Sequence, residues 1–216
     1  MKHQTAKDLL ASYLKLKPLI KKRLAEFRAN SKKRDEEIFS ELCFCILTAN
    51  ANALKCDEAI RKLREKKLLL SGSRCRIKPI LKGRVRFHNK KADFLVAARN
   101  VFKNGKGLNI KKRLDKKDII ATRDWLVKNI KGYGYKEASH FLRNIGLGSD
   151  IAILDRHILK NLKRYGVISS VPSSIGSHKG YLAIEEKMRK FSKKIKIPLE
   201  DLDLLFWSLQ TGFIFK

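Results

Sequence analysis

The chain has 216 residues, 44% of them apolar, which suits one sizeable domain or two small ones sharing a cleft and excludes a disordered segment. Lys and Arg number 50 against 21 Asp and Glu, a formal charge of +29, so the natural partner is a polyanion and above all nucleic acid, whose counterions each Lys or Arg contact releases. A merely Lys-rich proteome would bring Glu in similar abundance, and no apolar run is long enough to span a bilayer.

At the N-terminus, Leu9, Leu10, Tyr13, Leu14 and Leu16 recur at helical intervals, and Leu19 and Ile20 resume the pattern after Pro18 disturbs it. This basic start has no uninterrupted apolar stretch and no small-residue cleavage site, so it reads as an amphipathic helix of an intracellular protein. Phe39, Leu42, Phe44, Ile46 and Leu47 mark a second, strongly apolar helix. Cys43 and Cys45 within it read as small buried thiols. With Cys56 and Cys75, their gaps fit neither paired C-x-x-C zinc spacing nor an iron–sulfur run, and no metal or cofactor is expected.

Shorter helices are predicted around 56–64 and 76–81, with a Ser/Gly loop at 70–73 between them. A helix over about 89–101 carries Ala92, Phe94, Leu95 and Ala98 on one side. Others follow over 116–130, 136–145, 156–165, 182–193 and 200–211, with a second Ser/Gly loop at 169–180. Alternating β-branched patterns are scarce, and there is no repeat, low-complexity tail or long linker. The fold class is all-α, and a monomer is the default.

The most informative stretch is LVKNIKGYGYKEASHFLRNIG, residues 126–146. An apolar helix ends in Ile130-Lys131-Gly132-Tyr133-Gly134 and another begins at once. Two glycines separated by one residue allow a tight turn, and the turn exposes N–H groups at the next helix start. Free amides there, aided by the helix dipole, cradle a phosphate. Ala138 is small enough for close helix packing. A G-x-G between helices is by itself only a turn, but here Lys136 follows the second glycine by two residues and Asp155 lies nineteen further on, in IAILDRHIL. Against these stand simpler roles: a solvated surface lysine, and a helix N-cap by Asp155 ahead of RHILKNL, which is compatible with catalysis.

These residues resemble the helix-hairpin-helix DNA glycosylase superfamily, whose bifunctional members carry G-x-G-x-K in the hairpin and a downstream Asp. KGYGYKEASHFLRNIG followed by AILDRHIL is similar to the mainly archaeal second family of 8-oxoguanine DNA glycosylase/AP lyases. ELCFCILTAN, RFHNKKADFLVAAR and LDLLFWSLQTGFIFK extend the likeness over most of the chain. The resemblance implies two helical subdomains, 1–54 with 166–216 and 55–165, with a DNA-binding cleft between them. It implies double-stranded DNA containing oxidised guanine as partner, in a prokaryotic, archaeal-type cell, in the cytoplasm or on the nucleoid.

It also implies a mechanism. The damaged base is flipped out, Lys136 attacks C1′ as a neutral amine, the base leaves, and a Schiff base forms whose β-elimination nicks the strand. A lysine's ordinary pKa of about 10.4 must fall for this, by burial or positive neighbours. Asp155 orients the lysine or sugar and stabilises positive charge on the ribose.

Further residues follow from the same likeness. Asn50 stands where related enzymes insert a polar wedge into the gap left by the base, although Asn there also suits a helix C-cap. Phe87 and Trp207 are candidates to sandwich the base, with a core role as the alternative, strongest for Trp207. Lys216 follows apolar GFIF and is expected to reach the base pocket. His157 is expected to contact a phosphate, and His140, one turn beyond Lys136, to pack in the hairpin helix. A relative acting on thymine glycol or mispaired adenine commonly has four C-terminal cysteines for a cluster, and none lies beyond Cys75. The other rivals are a non-catalytic DNA-binding hairpin, which needs neither Lys136 nor Asp155, and an RNA-binding protein, for which no aromatic motif speaks.

Overall fold

The computed structural model describes residues 5–105, 107–175 and 177–216. The N-terminal expectation for residues 1–4 and Gly176 of the second loop lie outside them. Helix α1 (Ala6–Asn30) starts from a reciprocal cap in which the Thr5 hydroxyl accepts from the Asp8 N–H and the Asp8 carboxylate from the Thr5 N–H. It then runs unbroken through Pro18, where the sequence suggested a disturbance. Tyr13 and Lys21, on either side of the proline, both donate to buried Asp201 at 2.8 Å, and Leu9, Ile20, Leu24 and Phe27 are buried. This packing outweighs the roughly 3 kcal/mol that a proline costs a helix interior.

Next come α2 (Asp35–Thr48), α3 (Ala53–Glu65), α4 (Leu68–Ser71), α5 (Arg74–Leu81) and α6 (His88–Phe102). Every residue of α2 from Ile38 to Thr48 except Glu41 is buried, so this helix is wrapped on all sides, by α3, α6 and the hairpin. Part of the loop expected at 70–73 is instead the short α4. Its Leu68 and Leu69 are buried, and Arg99 of α6 donates to the carbonyls of Leu69 and Gly72. A two-stranded antiparallel ribbon, β1 (Lys103–Asn104) with β2 (Gly107–Leu108), and a 3-10 turn at Ile110–Arg113 follow, neither anticipated from periodicity.

The second half holds α7 (Ile119–Asn129), α8 (Tyr135–Asn144), α9 (Arg156–Arg164), α10 (His178–Ile195) and α11 (Leu199–Thr211). Ser177 accepts from the Gly180 N–H and starts α10 inside what read as loop, so His178–Gly180 are helical. The all-α class is as expected.

The apolar core forms two clusters. One is built from α2 to α8 and ends at Ile151; the other joins α1 to the chain from Ala152 through α11. In these clusters α2 packs on the hairpin side and α9 with α1 and α11. Two buried ion pairs cross between the clusters. Arg123 of α7 forks onto Glu185 of α10 at 2.7 and 3.1 Å, and Arg143 of α8 meets Asp203 of α11 at 3.0 Å. Arg123 is fully buried beneath Tyr135 and Tyr181. Arg123→Met removes the forked partner of the buried Glu185 carboxylate, leaving it only the Ala152 N–H and Arg189 at 3.7 Å, and is expected to cost about 3 kcal/mol. Urea denaturation measures this, and a loss under 1 kcal/mol would refute it.

Candidate active site

The hairpin between α7 and α8 is shaped by its glycines. Gly132 has φ +85°, and a Cβ there would lie 2.5 Å from the ring of Phe94 in α6, so only glycine fits. Between the glycines, Tyr133 is buried and donates its hydroxyl to the Leu42 carbonyl at 2.9 Å, fastening the turn to α2. The Gly134 N–H is occupied by the Glu137 carboxylate at 3.2 Å. The Gly134 N–H is thus not free for the phosphate expected at the helix start, and the next N–H groups of α8 are the ones without intrahelical partners. Glu137, at the third helical position, was legible as a capping acid but was not singled out.

Lys136 occupies the first turn of α8, 22% exposed, with Glu137 at 3.5 Å as its ion-pair partner. Asp155 caps α9, its Oδ1 accepting from the N–H groups of His157 and Ile158, both at 2.8 Å. The segment leading to Asp155 is clamped from α10. Ala152 N–H donates to Glu185 at 2.7 Å, the Tyr181 hydroxyl donates to the Ala152 carbonyl at 2.7 Å, and it accepts from the Leu154 N–H at 3.1 Å. The cap holds the carboxylate still, and the clamp holds the cap.

Lys136 and Asp155 both line a cavity of about 350 Å³ between the two clusters, together with His140, His157, Trp207 and Lys216. They also line the wider groove outside it, about 850 Å³, where Asn50, Gly134 and His178 join them. A recess opening on a groove suits a flipped nucleotide and its duplex.

Trp207 faces the cavity and is not a core residue: it is half-buried, with Phe213 at 5.2 Å and the edge of His157 at 6.2 Å. His140 is buried and also lines the cavity. Burial, with Arg143 and Lys136 adding, holds it well below the usual histidine range, so it is neutral at pH 7. At the cavity floor, Asp203 is pushed up to about 7 by burial, with Asp155 adding and Arg143 opposing. The Arg143–Asp203 pair was not foreseen, because nothing local pairs residues so far apart.

Lys216 reaches the cavity, but its ammonium is already held by Glu41 at 3.1 Å and Asp57 at 2.8 Å, over the ring of Phe44. Burial alone would lower it, yet the two carboxylates outweigh burial and raise it above the ordinary lysine value. Asn50 is exposed at φ +53°, just past the end of α2. The cap position and a groove-facing position are thus one and the same. Phe87 is not brought to the cavity. It stands at φ +58° before α6, 53% exposed, with the Arg86 guanidinium over its ring. Among the described residues, no group of three or more His, Cys, Asp or Glu could hold a metal, and no helix is long and apolar enough to cross a membrane.

Residues 20–197 match a family described as 8-oxoguanine DNA glycosylase, with a helix-hairpin-helix. An 8-oxoguanine DNA glycosylase/AP lyase of Fusobacterium nucleatum is 41% identical over 100% of this chain and 99% of that protein. A crystal structure of the Methanocaldococcus jannaschii 8-oxoguanine glycosylase/lyase, in complex with a 15mer DNA containing 8-oxoguanine, superimposes with a TM-score of 0.85 at 38% identity, covering 96% of this chain and 99% of that one. The 8-oxoguanine DNA glycosylase of Thermotoga maritima gives 0.82 at 35% identity, with 98% of each chain covered.

Proposed function

Because this chain belongs to the helix-hairpin-helix family of 8-oxoguanine DNA glycosylases, we propose the parts its residues play in a reaction of known kind. It is an 8-oxoguanine DNA glycosylase/AP lyase acting on DNA that contains the oxidised base. The observation that carries the residue assignment is the meeting of Lys136 and Asp155 at the mouth of one cavity, each supplied by a different cluster.

Lys136 Nζ attacks C1′ of the extruded nucleotide, the C1′–N9 bond breaks, and the base leaves. Loss of a proton from nitrogen and opening of the sugar give the Schiff base. Removal of a proton from C2′ then expels the 3′ phosphate by β-elimination. Asp155, fixed by two N–H groups, stabilises positive charge on the sugar and aligns the amine. The free N–H groups past Gly132 and Gly134 hold a backbone phosphate, and His157 is placed at the groove to contact another. Trp207 stacks on the base inside the cavity, Asn50 enters the vacated stack, and Phe87 caps the base from the DNA side after moving inward. The expected site of action is chromosomal DNA in the cytoplasm. The relatives include both Fusobacterium nucleatum and Methanocaldococcus jannaschii, so the source is not narrowed to archaea.

The test is incubation with a duplex carrying 8-oxoguanine opposite cytosine in the presence of borohydride. A covalent protein–DNA species and a nicked strand are expected; their absence would leave only a DNA-binding hairpin. Lys216 fixes the inner wall through Glu41 and Asp57. Lys216→Met is expected to lower selectivity for 8-oxoguanine over guanine about 10-fold, measured as a ratio of kcat/KM values. An unchanged ratio removes Lys216 from recognition.

A further inference from the structure

The reaction assigns nothing to Lys91, a lysine only 3% exposed in the first turn of α6. Its Nζ donates to the carbonyl of Leu47 at 2.7 Å and to that of Ala49 at 2.5 Å. Both belong to the end of α2, which has no basic residue in its own last turn, and Asn50 is the next residue. A helix C-terminus presents carbonyls without intrahelical donors and carries partial negative charge, so a cation there is favoured. Other carbonyls of this turn are engaged too. The Cys56 thiol shares Leu47, the Thr48 hydroxyl donates to Cys45, and Ala51 N–H donates to Thr48.

Burial pushes the Lys91 ammonium down to about 8, which marks how costly its position is. At its other end, the Lys91 N–H donates to the Phe87 carbonyl at 3.0 Å, closing the first turn of α6. One residue thus touches the backbone beneath Asn50 and the backbone of Phe87. Both are non-glycine residues held at positive φ, a conformation that costs about 1 kcal/mol or more and persists only when its surroundings enforce it.

We propose that Lys91 is a positioning residue that ties the Asn50 turn to the Phe87 end of α6, so that wedge insertion and capping of the extruded base proceed as one movement. The proposal rests on the wedge reading of Asn50, and the test separates the two. A duplex with 2-aminopurine beside the 8-oxoguanine reports unstacking by fluorescence, and single-turnover excision is followed on the same DNA.

Lys91→Met keeps the buried stem and removes the donors. It is expected to abolish most of the fluorescence rise and slow excision roughly 10-fold or more, with affinity for undamaged duplex unchanged. Lys91→Arg, which keeps a charged donor, is expected to recover most of the opening. Asn50→Ala alone is expected to impair opening, but to add less than about 2-fold in the Lys91→Met background. Fully additive effects, or normal opening by Lys91→Met, overturn the tie while leaving the wedge intact. Normal opening by Asn50→Ala alone overturns the wedge reading and the tie with it. If Lys91→Met does not fold, Lys91→Gln enters the same cycle.

Discussion

Lys136→Gln is expected to abolish the borohydride-trapped adduct completely and to slow release of 8-oxoguanine by roughly 10³-fold or more. The amide cannot form the C–N bond at C1′, so neither the Schiff base nor the elimination that follows it has a route. The fold should be indifferent to the change. Lys136 has one ion-pair partner, Glu137 at 3.5 Å, on a side chain open to solvent on one side. Such a pair contributes at most about 1 kcal/mol. A thermal midpoint near that of the native protein, together with retained binding to 8-oxoguanine duplex, would therefore isolate the chemical loss. An adduct that persists in Lys136→Gln moves the nucleophile elsewhere.

Asp155→Asn separates two roles held by one side chain. Asparagine caps helices about as well as aspartate, so its side-chain oxygen can still accept from His157 and Ile158 and α9 keeps its start. What disappears is the negative charge at the cavity. Turnover is expected to fall about 10²–10³-fold with little change in affinity for DNA. Asp155→Ala loses the cap as well, and should add a stability loss of about 1 kcal/mol in urea. Full single-turnover activity in Asp155→Asn would leave Asp155 with capping alone.

The features legible in the sequence are those written in neighbouring residues. Gly132 and Gly134 stand between two apolar periodicities, and the local pattern dictates both the turn and the exposed start of α8. Asp155 reads as a cap for the same reason. Periodicity also gives most helices to within a few residues, missing starts such as Ser177 where a cap precedes the apolar pattern. What it misses depends on partners far along the chain. Pro18 reads as a disturbance because its rescue comes from Asp201 on α11. Lys91 reads as one cation among many because the carbonyls it serves belong to α2. Trp207 reads as a base-stacking candidate with core as the rival role inside LDLLFWSL, and α11 turns it, with Asp203, Leu204 and Thr211, toward the cavity. Phe87 reads as a candidate to sandwich the base, but its exposed position with Arg86 across the ring is set by contacts that the sequence does not display.

The two ion pairs that cross between the clusters bear on catalysis in a way that their stability cost does not capture. Lys136 stands on one side of this seam and Asp155 on the other, so their separation is a property of the seam. A seam of interlocked methyl groups has many nearly equivalent settings and slides by fractions of an ångström at little cost. A guanidinium forked onto a carboxylate has one. With Arg123 seated on Glu185, and Glu185 also holding Ala152 three residues before Asp155, the seam acts as an indexing pin. Register between the halves, and with it the spacing of Lys136 and Asp155, is then set by the fold itself.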